Sequence, residues 1–292
     1  MYTIKHIENS LEIQNSERSV YAKICLNQGA SLQVLKLSNS LLIEDLNPLP
    51  YKDTYASSIL FPFANRIKDG TYTFEDNIYN FEINEKPNNN ALHGLVFDNT
   101  FEIVNSEATE TSATVELVYN ETQQNNGFPY TFSIALEYIF TETTLDLKVK
   151  VLNTDVKAFP FTLGWHPYFL SDNLFESALQ FESSKKIVFD NRMITSEVIK
   201  NPNPSEIKIK DTPLDDCWEL DKTHVTFKTP HYTLTIDSSE ENSFLQSYTP
   251  PKANTIAIEP TTGVSDSFNN KIGLKTLAPN EDYSLIWTLK LD

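Results

Sequence analysis

Apolar and polar residues alternate along most of this chain with a period of two. The clearest run is Phe132, Ile134, Leu136, Tyr138 and Phe140. After Thr141-Glu142-Thr143-Thr144 it is followed by Leu145, Leu147, Val149 and Val151. Asp146, Lys148 and Lys150 fill the intervening positions. The pattern predicts two antiparallel strands with a tight connection, one face buried and the other half-solvated. Val115, Leu117 and Tyr119 alternate in the same way, as do Val225 and Phe227 against Tyr232, Leu234 and Ile236. Tyr283, Leu285, Trp287, Leu289 and Leu291 close the chain on a strict alternation. Tyr72–Phe74 and Tyr79–Phe81 flank Glu75-Asp76-Asn77, which reads as a hairpin with its turn at Asp-Asn. Leu32–Val34 and Leu35–Leu37 read as two short runs with a break between them. No stretch of twelve residues carries a helical period. Residues 38–60 and 171–216 are the least regular, and 200–213, with three prolines, reads as a surface loop. No repeat or linker interrupts the pattern. The expectation is therefore all-β: one large, mostly antiparallel β-sandwich domain over residues 1–292.

Composition narrows what such a sandwich can do. A hydrophobic fraction of 40% is ample for a real core. The net charge of −17 argues against nucleic acid or an anionic membrane surface as partner. Met1–His6 has no charged stretch leading into an apolar one, so no signal peptide is expected, and no apolar run is long enough to span a membrane. Cys25 and Cys217 stand alone, without the spacing of a zinc or redox motif. Two free thiols in a reducing cytoplasm is the expected state.

The candidate chemistry centres on Gly164-Trp165-His166-Pro167-Tyr168-Phe169. Pro167 pushes the residue before it into an extended conformation, so His166 should stand at a strand end with a fixed aim. The neighbouring aromatics offer flat apolar surface for the C–H face of a sugar ring. Histidine can also pass protons near neutral pH. A buried histidine in an aromatic corner is the plain structural alternative. Downstream, Glu259 ends the apolar run Ile256-Ala257-Ile258 and precedes Pro260. A carboxylate there must be paired, hydrogen-bonded or functional. Arg66, after Asn65 and inside the apolar run Ile59–Ile67, should be forked against sugar hydroxyls or a carboxylate. His93 lies between Leu92 and Gly94, behind the asparagine-rich Asn88-Asn89-Asn90. Gln246 is a further pocket candidate. His6, His224 and His231 lack a motif and read as structural or exposed. Of the seven glycines, Gly70, Gly94, Gly164 and Gly263 fall beside these candidates.

Phe63-Ala64-Asn65-Arg66-Ile67, Gly70 with Tyr72 and Phe74, Leu92-His93-Gly94, Gly164–Phe169 and Ile258-Glu259-Pro260 together resemble the aldose 1-epimerase (galactose mutarotase) family. The motifs occur in the family's order, from about residue 20 to the C-terminus. The resemblance implies a mutarotase-type supersandwich, with His93 on the sugar near its ring oxygen and Asn65 and Arg66 in the binding site. It also implies a substrate-binding aspartate before an aromatic, which is Asp215 or its neighbour Asp216. Two departures bear on the preferred sugar: a single glycine follows His93, and Glu259 stands in a Glu-Pro-Thr-Thr context.

Interconverting the anomers of a free sugar needs one proton taken from the C1 hydroxyl and another given to the ring oxygen. The ring opens to the aldehyde, the C1–C2 bond rotates, and the reverse transfers close it on the other face. One base and one acid on opposite sides of the pyranose suffice, with no metal and no redox cofactor. Glu259 is the natural base and protonated His166 the natural acid, the roles the family would also give them. The expected ligand is a free monosaccharide of the glucose or galactose type. The oligomeric state is open, with a monomer the expectation. The alternatives are a hexose-6-phosphate 1-epimerase of the same fold, a non-catalytic carbohydrate-binding β-sandwich, and a glycosidase. The first would need extra Arg or Lys at the rim, and only Arg18 and Arg192 accompany Arg66. A glycosidase would use two carboxylates, whereas the acid candidate here is a histidine.

Overall fold

The computed structural model describes residues 1–203, 205–211 and 213–292. The alternation noted above becomes register: Phe132 faces Asn153, Ile134 faces Val151 and Phe140 faces Leu145, with every second residue buried. These two strands sit inside a nine-stranded antiparallel sheet that also takes in Asp282–Leu291, Thr233–Ser238 and His224–Lys228. An eight-stranded sheet packs against it, carrying Gly164–Trp165, Asp215–Glu219, Phe244–Tyr248 and Thr255–Thr261, with Tyr168–Leu170 paired alongside the last. Trp165 of this sheet stacks on Trp287 of the other at 6.1 Å, and Phe169 meets Phe227 at 6.5 Å. Such contacts fill the space between the layers, as sheet-on-sheet packing requires. The all-β, mainly antiparallel class is thus what the chain adopts. Among the described residues the α-helices are two four-residue turns, Tyr51–Thr54 and Ser267–Asn270.

Three local expectations need correction. Ser31–Leu37 is one strand, not two runs; the break is a register shift opposite Lys23/Ile24, where a bulge admits an extra residue. Residues 200–213 are not wholly loop, because Glu206–Lys208 pairs with Ala178–Phe181 at a sheet edge. Pro204 and Thr212 of that stretch lie outside the described residues. The hairpin turn falls on Glu75-Asp76, both at positive φ (48° and 62°), one residue before the expected place. Positive φ at both central residues matches strand twist in a two-residue hairpin. The strands Tyr2–Ile7, Ser10–Asn15 and Tyr21–Cys25 were not legible in the apolar pattern; they form one five-stranded sheet with Ser31–Leu37 and Ser40–Ile43. Among the described residues no helix is long and apolar enough to cross a membrane.

Candidate active site

Strand register assembles the site. Cys217 faces Gln246, which faces Glu259; one step along, Asp215 faces Tyr248, which faces Ala257, which faces Tyr168. Paired residues share a face and alternate residues return to it. One side of the sheet therefore presents Asp215, Gln246, Tyr248 and Glu259. The other side sends Trp218, Leu245, Ile256, Ile258 and Phe169 into the core. The same alternation separates the two aspartates. Asp215 reaches the site, whereas Asp216 points the opposite way to Lys186 at 2.6 Å.

His166 is held as its sequence context suggests. Its backbone N–H donates to the Ser58 carbonyl (3.1 Å), and its own carbonyl accepts from Ser57 (2.8 Å). Its ring stacks on Tyr168 at 4.9 Å, and the Tyr168 hydroxyl donates to the Thr54 carbonyl. His93 meets His166 edge-on at 5.0 Å and Tyr55 at 4.8 Å. Its N–H donates to the Asn65 carbonyl. The glycine after it is required: Gly94 has φ +76°, and a Cβ there would stand 2.1 Å from the Phe61 carbonyl oxygen.

Arg66 takes the carboxylate option. Its Nε and Nη2 fork onto Glu85 at 2.8–3.0 Å, and Nη1 donates to Asn65 Oδ1. Asn65 then donates to Gln246 (3.4 Å), which donates to Asp215 at 2.7 Å. A single hydrogen-bonded chain, Glu85–Arg66–Asn65–Gln246–Asp215, thus crosses the site. Asn88 and Asn90 also donate to Glu85, and Arg192 binds the carbonyls of Asn88 and Asn89. The asparagine-rich stretch is therefore a support for Glu85.

These side chains line a cavity of about 490 Å³. All seven residues singled out in the sequence, Asn65, Arg66, His93, His166, Asp215, Gln246 and Glu259, border it. Glu85, Tyr55, Tyr248, Met193 and Lys52 border it as well and were missed. Glu85 gave no signal, because its importance lies in a partner 19 residues away. Tyr248 had one: it lies two residues beyond Gln246 in a strand and so shares its face. His6, His224 and His231 are exposed and lie outside the cavity, and Cys25 and Cys217 are buried free thiols.

His166 Nε2 lies 3.5 Å from Glu259 Oε1. The two groups are therefore neighbours and not on opposed sides of a pyranose. Chemistry explains why neighbours can serve: the C1 hydroxyl oxygen and the ring oxygen hang on the same carbon. Burial dominates the titration of both. It lowers His166 to about 4, with the Arg66 charge adding to the effect, and raises the Glu259 carboxyl well above its usual range. A neutral imidazole beside a protonated carboxyl holds the same number of protons as an imidazolium beside a carboxylate. The two arrangements differ only in which group carries that proton. Burial also raises Asp215 to about 6, against the opposing pull of Arg66, and drives His93 well below its usual value. Burial alone would raise Glu85, but the hydrogen bonds and charge of Arg66 outweigh it and hold that carboxyl below its usual range. Among the described residues no three His, Cys, Asp or Glu side chains form a group that could hold a metal.

The sequence profile of the aldose 1-epimerase family matches residues 10–290. The chain belongs to that family. It is 24% identical over 293 residues to YihR, an uncharacterized protein of Escherichia coli (strain K12), across 92% of this chain and 90% of that protein. A galactose mutarotase-like protein from Clostridium acetobutylicum superposes with a TM-score of 0.87 at 23% identity, over 100% of this chain and 98% of the other. A galactose 1-epimerase from Lactobacillus acidophilus NCFM gives 0.82 at 16% identity, with coverage of 100% and 98%. These structural likenesses bear on the fold.

Proposed function

We propose that this member of the aldose 1-epimerase family interconverts the α and β anomers of a free hexose, with Glu259 as base and His166 as acid. The observation that carries the reading is the buried pair itself, 3.5 Å apart in the lining of a cavity of about 490 Å³. With the pair as carboxylate and imidazolium, Glu259 takes the proton of the C1 hydroxyl. The electron pair of that O–H bond forms the C1 carbonyl, the bond from C1 to the ring oxygen breaks, and the ring oxygen takes the His166 proton. Glu259 is then protonated and His166 neutral, which is the form that burial favours. After rotation about C1–C2 the same transfers run backwards, so no proton is gained or lost over the cycle.

Arg66, Asn65, Gln246 and Asp215 form the pre-ordered wall that reads hydroxyls, and His93 flanks the acid. Tyr168 and Tyr248 supply the apolar faces. The expected substrate is a neutral sugar, because the cavity's ionic groups are Asp53, Glu85, Asp215 and Glu259 against Lys52 and Arg66. Arg66 is spent on Glu85, and nearby Arg192 on Asp69. That arrangement disfavours a 6-phosphate. Two unpaired thiols suit a reducing cytoplasm, where we place the reaction.

Polarimetry on freshly dissolved α-D-glucose and α-D-galactose tests the reading. Decay of rotation well above the buffer rate is expected for at least one of them. A folded protein that binds these sugars without accelerating the decay would leave a carbohydrate-binding sandwich in its place.

A further inference from the structure

Glu85 borders the candidate site, yet its carboxylate has nothing left to offer a sugar. Arg66 Nε and Nη2, Asn88 Nδ2 and Asn90 Nδ2 all donate to it, at 2.8–3.1 Å. An ionised carboxylate has about four lone-pair sites, and these N–H groups fill them. No lone pair remains to bind a hydroxyl or to take its proton. The loop around Glu85 keeps it in that state. Glu85 and Asn90 exchange backbone hydrogen bonds at 3.1 and 3.2 Å. Arg192, from the hairpin tip between Lys185–Phe189 and Thr195–Lys200, binds the Asn88 and Asn89 carbonyls and the Asn90 side chain. Asn90 Nδ2 in turn donates to the Arg192 carbonyl as well as to Glu85. The group fixed by this network is Arg66. Its carbonyl accepts from Asp266 N at 2.7 Å, and its side chain is only 15% exposed. A guanidinium has five N–H donors. Glu85 takes that of Nε and one of Nη2, and Asn65 Oδ1 takes one of Nη1. One N–H on each terminal nitrogen is left to meet two neighbouring hydroxyls, while the charge of Arg66 is already balanced.

We propose that Glu85 sets the site's preference for neutral sugars: it aims Arg66 to read hydroxyls, and its charge closes the site to an anion that a free guanidinium would draw in. Glu85 is thus a positioning residue, acting through Arg66 and not on the sugar. This rests on the proposed function, which puts a free hexose in the cavity.

Mutarotation rates give kcat and KM for the hexose the wild type accepts, and calorimetry gives its affinity. Sulfate, at constant ionic strength, is the anion probe, because it is a tetrahedral dianion too weakly basic to catalyse mutarotation itself. Glu85→Gln should raise KM and weaken affinity roughly tenfold, the usual cost of losing a charge-assisted hydrogen bond, while kcat stays within a few-fold. Sulfate should compete with the hexose about tenfold more strongly in Glu85→Gln than in the wild type. Glu85→Asp keeps the charge but falls one methylene short of the fork, so it should raise KM without admitting sulfate. In an Arg66→Met background Glu85→Gln should add nothing to KM and leave sulfate excluded, because the partner through which it acts is gone. A loss in kcat with KM unchanged, a further rise in KM in the Arg66→Met background, or sulfate competition no stronger than in the wild type would overturn the proposal. Should Glu85→Gln fail to fold, Glu85→Asp decides: raised KM at held kcat retains the proposal, and unchanged KM rejects it. A wild type that binds hexoses without turning them over removes the catalytic reading instead, and the same comparisons are then read from calorimetric affinities. A wild type that binds no hexose overturns both.

Discussion

In the proposed reaction Glu259 and His166 pass one proton between them, and both are buried. Adding a proton to the pair removes the base, and withdrawing one removes the acid. The pH–rate profile should therefore be a bell whose limbs belong to the pair and not to either residue. Glu259→Gln and His166→Asn should each lower kcat by about 10²–10⁴-fold while sugar affinity stays within a few-fold, as expected for general base and acid groups. The double variant should lose far less than the product of the single losses, because both act in one transition state. Near-normal mutarotation in folded Glu259→Gln would put the base elsewhere. Stability carries a second signature. Asp215, raised to about 6, keeps a proton in the folded state that the unfolded chain releases above about 3.9. Its favourable contribution is therefore full at low pH and lost as pH rises through 6. His166, lowered to about 4, has the opposite slope between 4 and its unfolded value near 6.5. Urea midpoints between pH 4 and 6 should rise more steeply with pH in Asp215→Asn than in the wild type, and less steeply in His166→Asn. Parallel curves would mean that neither group titrates as its burial implies.

At the scale of elements, the site depends on two arrangements of very different local character. Three antiparallel strands of five to seven residues set Asp215, Gln246 and Glu259 by alternation and register. His93 depends instead on a single tight loop, where Gly94 takes φ +76° against the Phe61 carbonyl and Leu95 N donates to that same oxygen at 2.7 Å. Gly94→Ala must strain this backbone or break that bond. It should cost about 1–3 kcal/mol of stability, measured as a shift in the urea midpoint at constant m-value. It should also raise KM, because the loop that aims His93 moves. An unchanged midpoint would show that the loop absorbs a Cβ that the geometry says it cannot.

Over the whole molecule, a net charge of −17 sets up a field that repels anions before any contact forms. The cavity's own carboxylates add to it. Raising ionic strength from about 0.01 M to about 0.15 M shortens the screening length from ~30 Å to ~8 Å. Turnover of a neutral hexose should not respond to that change. Any residual kcat/KM on glucose 6-phosphate, followed with a coupled dehydrogenase, should rise with salt. A fall with salt would reveal a basic phosphate pocket and revive the phosphosugar reading.

The sequence by itself determined the all-β class and named seven of the residues that line the cavity. Alternation of period two dictates which face of each strand is apolar, so the runs at 132–140, 144–153 and 282–291 were legible as sheet. Pro167 and Gly94 marked constrained backbone beside His166 and His93, and a glutamate ending a buried apolar run is a local signal for Glu259. Only the tertiary structure decided what depends on partners far along the chain. Glu85 matters because Arg66 folds back onto it. The choice of Asp215 over Asp216 is fixed by the register of Asp215–Glu219 against Phe244–Tyr248. The 3.5 Å separation of His166 and Glu259 arises where Tyr168–Leu170 docks beside Thr255–Thr261. Periodicity is written residue by residue in the chain, whereas register and ion-pair partners are set by packing between strands that the sequence leaves far apart.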